Sequence, residues 1–154
     1  MPSSKSLSRS TLKLSTIDYL ARQDDKSALR LTFFHLSIPD NLNKKLHTTG
    51  LSHHHIKILI LGSEIEAKHG HFSFEMINKL IKSFGEKQYT SLRHVLKDLK
   101  NRNGLSLIQS YQQNDVDILS QHFFVTPAGQ RAIKTFDRLM IELIDSVSVA
   151  LQNI

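Results

Sequence analysis

The chain has no cysteine, which excludes a disulfide framework, a thiol redox switch and a Cys-ligated zinc site. Long apolar runs are missing too. The longest, Ile56 to Gly62, is short and contains Lys57, whereas a bilayer span needs roughly 18 residues. Residues 1–10 are serine-rich with Lys5 and Arg9, and no apolar stretch follows, so a secretory signal is not expected. No Gly-rich phosphate loop, His-Glu-x-x-His or Gly-x-Ser-x-Gly motif occurs, which makes an enzyme the least supported class. A soluble protein of the cytoplasm, without cofactor, is the expectation.

What is present is enough for a core. Of 154 residues, 40% are hydrophobic, too many for a disordered tail and sufficient for one domain, alone or with an oligomerising appendage. Lys and Arg number 20 against 14 Asp and Glu, a net charge of +6. The excess is concentrated. Lys79 to Arg102 holds seven basic and two acidic residues, while Leu105 to Val125 has no Lys or Arg, only Asp115 and Asp117. A localised basic segment points to a polyanionic partner more than the total does.

The periodicity predicts a mostly helical chain. Residues 1–10 read as a flexible basic arm. Between 12 and 38 the pattern fits helix, with Leu29–Ile38 open to a short strand; Pro39 then opens a short helix to Thr48, stopped at Gly50. Ser52 can cap a helix whose apolar face is Ile56, Leu59, Ile60 and Ser63, ending at Lys68-His69-Gly70. Ser73 caps the next, with Met76, Ile77, Leu80 and Ile81 inward, closed by Phe84-Gly85. Thr90 or Ser91 caps a third, with Leu92, Val95, Leu96 and Leu99 inward, ending at Asn103-Gly104.

The period then changes. Leu105, Leu107 and Ile108 begin a strand, Gln112 to Asp115 is turn chemistry, and His122 to Val125 is a returning strand. Thr126-Pro127 is a sharp helix start. The last helix places Ala132, Ile133, Phe136, Leu139, Met140, Leu143, Ile144, Val147 and Ala150 at helical spacing, and its length calls for a partner helix, most simply from a second copy.

Helix, turn, basic helix, hairpin, then a long helix opening Thr-Pro: from about Gly50 to Asp145 this order resembles the MarR (multiple antibiotic resistance regulator) family. Gly50-Leu51-Ser52 is similar to the family's Gly-Leu-Ser, Ser91–Gly104 (SLRHVLKDLKNRNG) to its recognition helix and following Leu-x-x-x-Gly, and Val125–Ile133 (VTPAGQRAI) to its wing-to-helix junction. The resemblance implies a winged helix-turn-helix with a two- or three-stranded β wing and N- and C-terminal dimerisation helices. Its segments would be a basic arm (1–10), an N-terminal dimerisation segment (11–49), a DNA-binding lobe (50–126) and a C-terminal dimerisation helix (127–154). It further implies a homodimer on a pseudo-palindromic operator of double-stranded DNA, regulated by a small-molecule effector. The family's wing Asp-x-Arg falls on Asp117 and Leu119, so the wing arginine is missing.

On this reading the DNA-binding residues are Lys87, Gln88, Thr90, Ser91, Arg93, His94, Lys97, Lys100, Arg102, Gln113 and Asn114. Arg93 suits a guanine edge, and Lys87, Lys97, Lys100 and Arg102 suit phosphates. Dimerisation falls to Phe136, Leu139, Met140, Leu143, Ile144 and Val147. The nine histidines include His53-His54-His55 at a helix start. Neighbours on a helix point about 100° apart, so the three cannot share one ion, and no metal site is expected. The alternative is a dimeric protein-binding module on the same fold, whose uncharged wing and Phe33–Phe34 engage another protein.

Overall fold

The computed structural model of the chain describes residues 14–30, 44, 51–83, 91–112 and 115–154. Over these the protein is mostly helical with one two-stranded antiparallel sheet: α1 (Leu14–Ala21), α2 (His53–His69), α3 (Phe74–Ser83), α4 (Leu92–Lys100), β1 (Ile108–Ser110), β2 (Phe123–Val125) and α5 (Pro127–Gln152). The chain divides into two compact units, one of Thr49–Thr135 and one joining Phe136–Ile154 to the residues up to Thr48. The basic arm of 1–10 lies outside the described residues, as does the strand alternative of Leu29–Ile38 apart from Leu29 and Arg30, which are helical rather than extended. So does the helix from Pro39 to Thr48, apart from Lys44, which is helical.

In the unit of Thr49–Thr135, α2 is the central element. Ser52 caps it, its hydroxyl accepting from the His55 N–H, and the cap is closed by His55, whose Nδ1 accepts the Ser52 N–H. This is a capping box with histidine in the place usually taken by Glu or Gln. The expected single apolar face proves too narrow. Every residue from Ile56 to Gly62 is buried, as is Ile65, while Ser63 is half-buried. The reason is that α3, α4 and β2 all pack on this helix, and a helix covered on several sides must be apolar around most of its circumference. Gly70 ends α2 in the left-handed region (φ 83°), donating to the Glu66 carbonyl at 2.7 Å, the usual glycine termination.

Phe72 follows at once and bridges to Phe123 of β2, exchanging backbone hydrogen bonds of 3.0 and 2.7 Å. Both rings are fully buried, with centroids 5.5 Å apart. The Phe72 ring lies against Gly62, where a Cβ would come within 2.8 Å of it, so only glycine admits that contact. Ser73 then caps α3, its Oγ accepting from the Met76 N–H at 3.3 Å.

On α4, Leu92, Val95, Leu96 and Leu99 are buried as their spacing predicts. The helix ends earlier than Asn103-Gly104, however, because Asn101 is extended and Arg102 and Leu105 pair through bonds of 2.8 and 2.9 Å. Asn103 (φ 54°) and Gly104 (φ 84°) sit between them. Two positive φ values in a two-residue reversal are what a type I′ turn requires, and Asn-Gly is its preferred pair. The helix-ending signal is therefore a hairpin-turn signal. The strand accordingly begins at Ile108, and Leu105 is exposed.

β1 and β2 pair Ile108 with Val125, Gln109 with Phe124 and Ser110 with Phe123. Their connection contains a 3-10 turn at Ile118–Ser120, anchored by buried Ile118 against α3 and α4. Thr126 caps α5, accepting from the Gly129 N–H at 3.1 Å while its hydroxyl donates to the Ser106 carbonyl at 2.7 Å. Pro127 stands at the first helical position, as its fixed φ and missing N–H favour.

In the other unit, α1 ends at Ala21 and the chain is helical again over 27–30, with Leu29 buried. Arg30 grips Asp137 of α5 with two bonds, 2.8 and 2.7 Å. Along α5, Ile133, Phe136, Met140 and Ile144 are buried, Leu139 and Leu143 half-buried and Val147 exposed. Phe136, Met140 and Ile144, expected at a dimer seam, are thus already covered within the single chain.

Candidate nucleic-acid interface

The four buried apolar side chains of α4 orient the rest of the helix. With Leu92, Val95, Leu96 and Leu99 inward, a period of 3.6 residues leaves Ser91, Arg93, His94 and Lys97 on the outside, and all four are exposed. Lys100 is half-buried and tied down, its Nζ donating to Gln121 Oε1 at 2.8 Å. Lys87, Gln88, Thr90, Gln113 and Asn114 lie outside the described residues.

Two features of this surface are invisible in the sequence. The first is a polar cluster beneath it. His55, at the start of α2, contacts Asp98 of α4 at 3.0 Å from its Nε2, and His94 approaches the same Asp98 oxygen at 3.5 Å. Because the Ser52 N–H points at Nδ1, the His55 proton belongs on Nε2 and is donated to Asp98. Arg102 Nη1 lies 3.2 Å from that nitrogen; as one donor facing another it makes no hydrogen bond, and its charge acts on the carboxylate instead. The His55 hydrogen bond, with the nearby Arg102 guanidinium adding a smaller pull, holds the Asp98 carboxyl below its ordinary range against a lesser opposing effect of burial. The histidine triplet is thus not a uniform surface patch. His53 and His54 stack on each other at 4.8 Å, while His55 joins two helices.

Ser52, His55 and Asp98 line up as hydroxyl, imidazole and carboxylate, the constituents of a nucleophilic triad. The same hydroxyl caps α2 by accepting the His55 N–H, and its oxygen lies 2.5 Å from His55 Nδ1. Among the described residues no group of three His, Asp or Glu is arranged to hold a metal ion.

The second feature is the acidic flank. The segment carrying Asp115, Asp117 and Gln121 faces Arg93, Lys97 and Lys100 across an open groove. Asp117 Oδ1 stands 3.5 Å from Arg93 Nη2. The one sequence signal for this contact was the lack of basic residues between Leu105 and Val125, which left its two aspartates uncompensated locally.

No protein-family model matches this chain, and neither a curated protein nor a solved structure matches it.

Proposed function

We propose that this protein is a sequence-specific DNA-binding transcription regulator of MarR type, acting as a homodimer on a pseudo-palindromic operator. In this reading the fold is a winged helix-turn-helix: α3 and α4 form the helix pair, α4 is the recognition helix, and β1, β2 and the Phe72 bridge form a small wing. The observation that carries the reading is the division of α4 into a buried face of Leu92, Val95, Leu96 and Leu99 and an exposed face of Arg93, His94 and Lys97. A helix read in the major groove needs this arrangement, with polar and cationic groups toward base edges and phosphates. Each good bidentate base contact contributes about 1–3 kcal/mol of discrimination.

The test is genomic pull-down sequencing with the purified protein, comparing wild type with the Arg93→Ala/Lys97→Ala double variant. An inverted repeat enriched by the wild type and lost in the variant is the expected result. Enrichment that ignores sequence, or none at low salt, defeats the proposal.

One observation favours a second reading. The pairing of Asp117 with Arg93 reduces the positive field on the helix, which suits a protein-interaction module on the same fold. Salt separates the two, since binding through several phosphates weakens steeply as salt rises and an apolar protein contact does not.

A further inference from the structure

We infer that Asp117 is a built-in counter-charge on α4 that suppresses sequence-independent binding to nucleic acid, so that it governs specificity without contacting a base. The inference rests on the DNA-binding reading above and concerns the regulation of that same surface.

The position of Asp117 is fixed on several sides. Its Oδ1 accepts the Leu119 N–H at 3.3 Å and its carbonyl accepts the Ser120 N–H at 2.8 Å, which sets the 3-10 turn. Ile118, next in the chain, is buried. Gln121 is 2% exposed, and it holds the turn at both ends, donating to the Val116 carbonyl at 2.6 Å and accepting from Lys100 of α4 at 2.8 Å. A loop pinned by a buried isoleucine and a buried glutamine places its carboxylate beside Arg93 with little freedom to move away.

The Arg93–Asp117 pair itself is open to water. Both side chains are 54% exposed and the contact is a single one of 3.5 Å, so it is separable at modest cost. On DNA of the wrong sequence Arg93 has no guanine edge in register and is left to the phosphates, where a phosphate must compete with a carboxylate already there; Asp115 on the same groove adds to the opposing field. Contacts to base edges depend on hydrogen-bond geometry as well as charge. The counter-charge therefore falls most heavily on phosphate binding that is indifferent to sequence, the main component of non-specific affinity. It also accounts for a hairpin carrying two acids and no cation beside a basic helix.

The test uses the full chain and a fluorescent duplex DNA of random sequence, titrated over a range of salt. Asp117→Asn is the chosen variant because its side-chain oxygen still accepts the Leu119 N–H, and circular dichroism verifies that helix content is unchanged. The expected result is tighter binding by Asp117→Asn, about two- to fivefold at low salt, with the plot of log affinity against log salt steeper by about 0.9. In an Arg93→Ala background the same substitution should have little effect, which ties the gain to this pair. Equal binding by wild type and Asp117→Asn overturns the inference and leaves DNA binding intact. Weaker binding by Asp117→Asn also overturns it, since Asp117 would then be a positioning residue for Arg93. Absence of binding by every variant at low salt overturns the DNA reading and this inference together.

Discussion

Arg30 and Asp137, 107 positions apart, form a two-pronged ion pair, Nε to Oδ1 at 2.8 Å and Nη2 to Oδ2 at 2.7 Å. Their side chains are only 16% and 13% exposed. A planar guanidinium against a carboxylate in this geometry is among the stronger polar contacts a protein makes. It joins the helical turn at 27–30 to α5. Removing one partner leaves the other charge largely buried and unmatched, so Arg30→Ala or Asp137→Ala is expected to lower unfolding stability by about 2–3 kcal/mol. An Arg30→Met/Asp137→Leu double variant should recover much of the loss. Urea denaturation of the three variants checks this, and a double variant as unstable as the sum of the singles would refute it.

Asp98 predicts an acid-range effect of known sign. Its folded carboxyl is held below the ordinary value of 3.8, chiefly by the His55 hydrogen bond. A carboxyl lowered on folding stabilises the protein above its unfolded value, and that contribution disappears as pH falls through the lower, folded value. Wild type should therefore exceed Asp98→Asn in denaturation midpoint near neutrality, and the gap should narrow below about pH 4. A gap that stays constant into strong acid would show that Asp98 contributes by packing instead.

Gly129 is a steric prediction. A Cβ there would lie 2.2 Å from the Leu107 carbonyl oxygen and 2.6 Å from a Val125 methyl carbon, and backbone cannot yield as a side-chain tip can. Gly129→Ala is expected to cost about 1–3 kcal/mol despite the better helix propensity of alanine. Thermal unfolding decides it; a higher midpoint than wild type would mean the first turn of α5 can shift away.

The expected dimer makes a demand on the end of α5. Val147, Val149 and Leu151 are exposed at 41%, 57% and 53%, and a second copy is the occupant that the proposed function requires. Light scattering should give a dimer for wild type, and Val147→Glu should shift it toward monomer. A wild-type monomer at high concentration would remove the homodimer from the proposal.

Short-range chemistry explains which features were legible from the residue order. Ser52, Ser73 and Thr126 act on donors three residues away, and Leu92, Val95, Leu96 and Leu99 declare a face by spacing alone. Local signals also misled where two structures share them. Asn103-Gly104 suits the end of a helix and a type I′ turn equally, and the Arg102–Leu105 pairing selected the turn. Apolar residues on all sides of α2 could not be assigned to a face before the neighbours on each side were known. For the proposed site, the basic exposed face of α4 followed from composition and period. The contacts of His55 with Asp98 and of Asp117 with Arg93 did not, because 43 positions separate the first pair and a folded loop is needed to bring the second together.

The amino-acid order by itself therefore determined the caps at Ser52, Ser73 and Thr126 and the helices they open, though Ser91 stands at the start of α4 without a side-chain cap bond. It also determined the antiparallel strand pair after α4 and the concentration of positive charge on one segment. These depend on hydrogen bonds and periodicities that close within a few residues. Tertiary structure alone decided that His55 bonds to Asp98, that Arg30 holds Asp137, that an aspartate stands against Arg93, and that half of the expected dimer seam is covered within one chain. Such pairings depend on which distant segments share a core, and hydrophobic burial, which is not directional, carries no record of that choice in local sequence.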